Sequence, residues 1–143
     1  MSHPTPEEFK QLCLREFDFL MEQFGFSPEP LPTGEIINPV QVRFLSATTR
    51  VRVEGTAWGE SIWVSFESLS GRWARLVDIL AIRSPDLAAP FTQRGDQRVL
   101  VPQAAAAVRE QASDVLRGDF SVFDVVELHR QQLHQGFRDN KAD

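Results

Sequence analysis

Few side chains in this sequence could do chemistry, and they are scattered. The three histidines are His3, His129 and His134. On a regular helix, residues five apart stand about 140° apart round the axis, so His129 and His134 cannot ligate one metal from one helix. No cysteine or carboxylate completes a metal set at the spacings such sites use. The single cysteine, Cys13, falls on an apolar helical stripe and reads as core, with His129 its only distant candidate base. Asp119 and Asp124 flank a helix start, which capping explains. Neither a GxGxxG nor a GxxxxGK[ST] phosphate loop is present. The expectation is a non-enzymatic protein with no metal and no cofactor; the alternative on this side is an enzyme whose site follows no recognised motif.

The more specific pattern lies between residues 39 and 67. There, Gln41, Arg43, Leu45, Arg50, Arg52, Glu54, Ser61, Trp63, Ser65 and Glu67 alternate with apolar residues. Period-two alternation places them together on one face of a sheet. Arg43 falls opposite Arg52, an unfavourable like-charge pair, while Arg50 falls opposite Glu67 and Glu54 opposite Trp63. Trp58 sits in a turn beside this face. A solvated face, with arginines stacked on Trp63 and paired with glutamates, accounts for such a run. Arginine and tryptophan together are also what interface hot spots are made of. Arg43, Arg50, Arg52, Trp58 and Trp63 are therefore the candidate partner-binding residues, for a protein partner or, alternatively, for an anion or nucleotide held by the arginines.

The elements that position these residues follow from the complementary set. Val40, Val42 and Phe44, then Val51, Val53 and Gly55, then Ile62, Val64 and Phe66 form the apolar face of three strands. Turns centred on Ala47-Thr48 and Trp58-Gly59 set Val42 opposite Val53 and Val53 opposite Val64. A slip of one residue would mix the two faces. Gly59 can supply a positive φ; Ala47-Thr48 is a poor pair for a tight hairpin, which points to a longer or bulged loop there. Before the strands, Thr5-Pro6-Glu7-Glu8 starts a helix with a capping box, its stripe runs Phe9, Leu12, Cys13, Phe17, Leu20, Met21 and Phe24, and Gly25 ends it. Residues 27–34 hold three prolines and a glycine and read as a stiff extended connection. After the strands, Ser68 or Ser70 caps a helix whose apolar face is Trp73, Leu76, Val77 and Leu80, stopped by Ser84-Pro85. Residues 86–97 read as loop, and 98–101 as a short strand or a run into the next helix, for which Pro102 suits the first turn. That helix buries Ala104, Ala105, Val108, Ala112, Val115 and Leu116, and Gly118 closes it. A last helix from Ser121 carries Val122, Phe123, Val125, Val126, Leu133 and Phe137.

The resulting fold class is α+β: an N-terminal helix, a three-stranded antiparallel meander, then helices covering one sheet face. One domain spans residues 1–143, with 1–4 and 138–143 loose. A net charge of −5 and a pI near 5.2 argue against broad nucleic-acid binding. Neither a signal sequence nor a membrane-spanning run is apparent, so the expected location is the cytoplasm, where a lone thiol stays reduced. Arg94-Gly95-Asp96 is a tripeptide read by some cell-surface receptors, at a high chance frequency.

Three segments carry a resemblance. FDFLMEQFGF at 17–26, VRFLSATTRVRVEG at 42–55 and LRGDFSVFDVVELHR at 116–130 resemble small bacterial α+β proteins of unassigned function. The shared features are a helix ending in a Phe-Gly-Phe turn, an alternating hairpin and a late helix joint. The size and layout are also similar to immunity proteins that neutralise bacterial toxins. What this implies is a protein-binding role; the motifs are structural and carry no site residue.

Overall fold

The computed structural model describes residues 3–32 and 37–141, with side chains in the last helix as far as Gln135. Two short helices, α1 (Pro6–Glu16) and α2 (Asp18–Phe24), precede a five-stranded antiparallel meander. Its strands are β1 (Ser27–Glu29), β2 (Gln41–Leu45), β3 (Thr49–Gly55), β4 (Ile62–Ser68) and β5 (Trp73–Arg75), neighbours in chain order. Then come α3 (Leu76–Arg83), α4 (Pro85–Ala88), a 3-10 turn at Ala89–Thr92, α5 (Gln97–Gln111), α6 (Ser113–Leu116) and α7 (Ser121–Lys141).

The register of the three central strands is the one the alternation demands. Val42 pairs with Val53 and Val53 with Val64, while Phe44 pairs with Val51 and Val51 with Phe66. All six side chains are buried, in one core with Phe9, Phe17, Leu80 and Val108. Ala47-Thr48 does form a two-residue connection, with Ser46 N–H donating to the Thr49 carbonyl at 2.9 Å. The Ser46 hydroxyl accepts from the N–H groups of Thr48 and Thr49, which replaces the left-handed residues such a turn otherwise needs. The second turn is wider than two residues. Thr56 to Ser61 separate β3 from β4, Gly59 has φ +83° and Ser61 has φ +68°, yet the centre stays between Trp58 and Gly59.

The sheet is larger than a three-stranded meander at both edges. The proline-rich connection begins as β1, which pairs Pro28 with Phe44; an edge strand tolerates proline because its outer N–H needs no partner. At the other edge, Ser68 to Arg72 form a turn and not a helix cap. The Ser68 hydroxyl accepts from Arg72 N–H, and Gly71 has φ +96°. Trp73 therefore lies on β5, opposite Glu67, and its side chain is exposed rather than in a helix core. The helix begins three residues later, at Leu76.

The N-terminal capping box forms as expected, with Thr5 and Glu8 bonded reciprocally, and Gly25 closes α2 at φ +74°. The helix is broken at Phe17, and the break turns Phe19 into the core against Phe17 at 6.0 Å between rings. His3 and Pro4 are placed: Pro4 is buried and His3 packs on Gly59. Residues 98–101 form the first turn of α5, capped by Asp96, with Pro102 inside the helix. Residues 86–97 are not wholly loop, since α4 and the 3-10 turn occupy 85–92. In α7, Val122, Phe123 and Val126 are buried, whereas Val125 and Leu133 are exposed. The Phe137 side chain lies outside the described residues. The backbone helix continues through 138–141, where a loose tail was expected. No described helix is long and apolar enough to cross a membrane.

Candidate functional site

Every candidate strand residue reaches the face of the sheet turned away from the core. Arg43 and Arg52 stand directly opposite one another. Each is met within the chain: Arg43 Nε donates to Gln41 Oε1 at 3.0 Å, and Arg52 lies 3.4 Å from Glu54. Arg50 is held more firmly. It makes a fork to both carboxylate oxygens of Glu29, at 3.0 and 3.1 Å, and reaches Glu67 at 3.3 Å. These acids raise its affinity for its proton, the Glu29 hydrogen bond first. The β1 strand is what brings Glu29 there.

The aromatic part of the face is the less satisfied part. Trp63 is 46% exposed and Trp73 is 54% exposed, on neighbouring strands. Arg130 of α7 stacks over Trp73 with 5.0 Å to the ring centroid. Arg130 and Arg75 both bind Asp78, whose side chain is largely buried. Burial works against ionising Asp78, but the two guanidinium groups prevail and hold its carboxyl below the usual range. A polar clamp thus fixes the end of β5, the start of α3 and the middle of α7 beside two exposed indoles. Trp58 does not join this group. It stands in the β3–β4 loop, 64% exposed, beside His3, Arg94 and Arg98.

Trp73, Arg75 and Arg130 are functional candidates that sequence reasoning missed. The signal for the first two was present: Ser-Leu-Ser-Gly before Trp-Ala-Arg is a turn followed by an alternating strand. It was masked by the helical spacing of Trp73, Leu76, Val77 and Leu80. Arg130 carries no such signal, since its partners are 52 and 57 residues away. The Arg94-Gly95-Asp96 tripeptide is part of the scaffold. Asp96 caps α5 through Arg98 N–H at 2.9 Å, and the Gly95 carbonyl accepts from Ser61 N–H at 2.8 Å. Burial pushes the Cys13 thiol up, away from the thiolate that a nucleophile needs. Asp119 caps the start of α7 through Ser121 N–H at 3.0 Å, and Asp124 pairs with Arg72.

Beside Trp63, a cleft of about 390 Å³ opens along the outer edge of β4, walled by Leu76, Val77 and Phe91, with Arg75 and Arg94 among its lining. Its shape suits a small or extended guest. Comparison with protein families, with curated proteins and with solved structures gave no match for this chain.

Proposed function

We propose that this chain is a cytoplasmic, non-enzymatic protein-binding module of the immunity-protein kind, and that its partner sits on the sheet face around Trp63 and Trp73. The observation that carries the reading is the pair of half-exposed indoles on adjacent strands, ringed by arginines already positioned by carboxylates. Prepositioned arginines and rigid aromatics lose little entropy on binding, and they concentrate binding energy in a few residues. Arg43, Arg50 and Arg52 form the polar rim of this surface. Their internal partners favour that role over capture of a free anion, because an incoming anion would compete with Gln41, Glu54, Glu29 and Glu67.

The test is capture of partners from the source cells with the wild-type protein and with Trp63→Ala and Trp73→Ala. Both variants should stay folded with a lowered unfolding midpoint, since each loses the buried half of its ring and Trp73→Ala also loses the Arg130 stack, so binding is compared well below that midpoint. Each should weaken the captured partner by about 1–3 kcal/mol. A partner that binds both variants as tightly as wild type would remove this face as its docking surface.

A further inference from the structure

The middle row of the outward sheet face crosses all five strands. It runs Glu29, Arg43, Arg52, Ser65 and Arg75, each directly opposite the next. Its acid is drawn away: Glu29 forks onto Arg50 in the neighbouring row and not onto Arg43, which it faces. Arg75 is forked onto Asp78. That leaves Arg43 and Arg52 in the centre. Ser46 N–H bonds the Thr49 carbonyl and Gly55 N–H bonds the Val40 carbonyl, so the even-numbered residues of β2 form its hydrogen-bonded pairs with β3. Arg43 and Arg52 are therefore a non-hydrogen-bonded pair, the kind in which facing side chains stand closest, with about 4.5 Å between Cα atoms. Like charges facing each other there are destabilising. Little in the chain offsets this. Gln41, which takes Arg43 Nε, is neutral. Glu54 approaches one terminal nitrogen of Arg52 at 3.4 Å, and Arg52 Nε is buried with no acceptor among the described residues.

We infer that this pair receives one carboxylate, the side chain of an aspartate or glutamate on the protein partner that docks over Trp63 and Trp73. This rests on the protein-binding reading and adds the chemistry that the partner must present. A carboxylate set between two facing guanidinium groups turns a repelling pair into a bridged one. It displaces neither internal partner. Gln41 occupies only Nε of Arg43, and Glu54 only one terminal nitrogen of Arg52, so the other terminal N–H groups point to the newcomer. Trp63 stands on the same face, diagonal to Arg52 across the β3–β4 ladder and half exposed. A partner seated on that ring shields the ion pair from water. The surroundings limit the guest to a single acid. Glu29, Glu54 and Glu67 share the face with the arginines, so a run of phosphates laid across it would meet carboxylates as well as guanidinium groups. The net charge of −5 also repels a polyanion. A free carboxylate gains only exposed ion pairs, which are worth little, whereas one carried on a docked surface arrives already positioned.

The test uses the full-length protein and a phage-displayed library of a small three-helix scaffold randomised over one helix face. Binders are kept if they hold the wild-type protein and release Trp63→Ala, which confines them to this surface. They should share an aspartate or glutamate at one recurring position. Changing that acid to its amide should weaken binding to the wild type at least about tenfold, as expected for loss of a charge-assisted hydrogen bond. The same change should weaken binding to the Arg43→Gln/Arg52→Gln double variant less than about twofold, because the charges it served are gone. With the wild-type protein labelled with nitrogen-15, the acidic binder should shift the Nε–H signals of Arg43 and Arg52, and the amide form should not. The inference is overturned if no Trp63-dependent binder emerges, if the binders share no acid, or if the amide costs as much against the double variant as against wild type. It is also overturned if a single-stranded uridine dodecamer binds wild type and not the double variant, which would make this a nucleic-acid face. Trp63-dependent binders without an acid sink the inference alone and leave the surface a docking face. Partner capture that Trp63→Ala and Trp73→Ala leave unchanged sinks the wider reading, whatever the selected binders do at the arginine pair.

Discussion

Gly55 and Gln97 show how closely single residues fix this fold. A β-carbon on Gly55 would come within 2.4 Å of Gln97 Nε2 and 3.1 Å of the Phe9 ring. Gln97 is wholly buried, and its amide donates to the carbonyls of Thr56 at 2.9 Å and Ser61 at 3.3 Å. The absent side chain at Gly55 thus makes room for a polar strut that ties the start of α5 to the β3–β4 loop. Gly55→Ala should cost about 1–3 kcal/mol by overpacking. Gln97→Ala should also destabilise, because it strips two carbonyls of their donor. The double variant should cost less than the sum, since the alanine methyl then enters space the amide has left. Urea unfolding of the four proteins reads this coupling, and strictly additive losses would rule out the contact. In the sequence, Gly55 is recognisable as a core-face strand position. Gln97 is not, because a glutamine ordinarily marks surface, and its burial depends on carbonyls from a loop 36 and 41 residues away.

At the scale of elements, the central strands were legible because period two and a buried face leave only one register. The pairs Val42–Val53 and Val53–Val64 follow from that alone. The edge strands were harder to read, for a physical reason. An edge strand of three residues has too few positions for alternation to stand out, and β1 contains Pro28 while β5 runs directly into a helix. The misreading of Trp73 as core follows from the same brevity. This matters for the candidate site: Trp63 and the three strand arginines could be placed from the alternation, but half of the aromatic surface could not. The register itself is open to test. Val53 is fully buried and Arg52 is partly exposed on the other face. Val53→Asp puts an unpaired carboxylate in the core and should cost about 3 kcal/mol or more, or prevent folding. Arg52→Gln should leave the denaturation midpoint within about 0.5 kcal/mol of wild type, as for most surface changes. Comparable losses in the two variants would mean that the faces are not as separate as the pairing implies.

Across the whole molecule, α3 is stapled at both ends by arginine–aspartate pairs, of which only Arg75–Asp78 is local in sequence. Asp78 near its start binds Arg75 and Arg130, joining β5 and α7. Arg83 at its end forks onto Asp114 at 2.7 and 2.8 Å and also donates to the Gln111 carbonyl, joining α5 and α6. Both carboxyls are held below the ordinary aspartate value of 3.8. Asp114 is lowered chiefly by its hydrogen bond to Arg83; Asp78 is lowered by its two arginines despite burial. A carboxyl whose folded value is depressed binds its proton more readily in the unfolded chain. Its contribution is therefore complete above the unfolded value and fades as pH falls through the lower, folded one. Asp78→Asn and Asp114→Asn should each lower stability near about pH 7, by an amount that shrinks as pH falls through the depressed folded values and the wild-type carboxyls take up protons. Stability from urea unfolding, plotted against pH, should consequently fall less steeply on the acid side for each variant, and least steeply for the double variant. Because the two staples share only α3, their losses near neutrality should be close to additive. A deficit that persists undiminished into acid would assign these aspartates a packing role instead of an ionic one. Arg83→Gln provides the cross-check: it should reproduce the flattened acid limb of Asp114→Asn while leaving the Asp78 contribution in place.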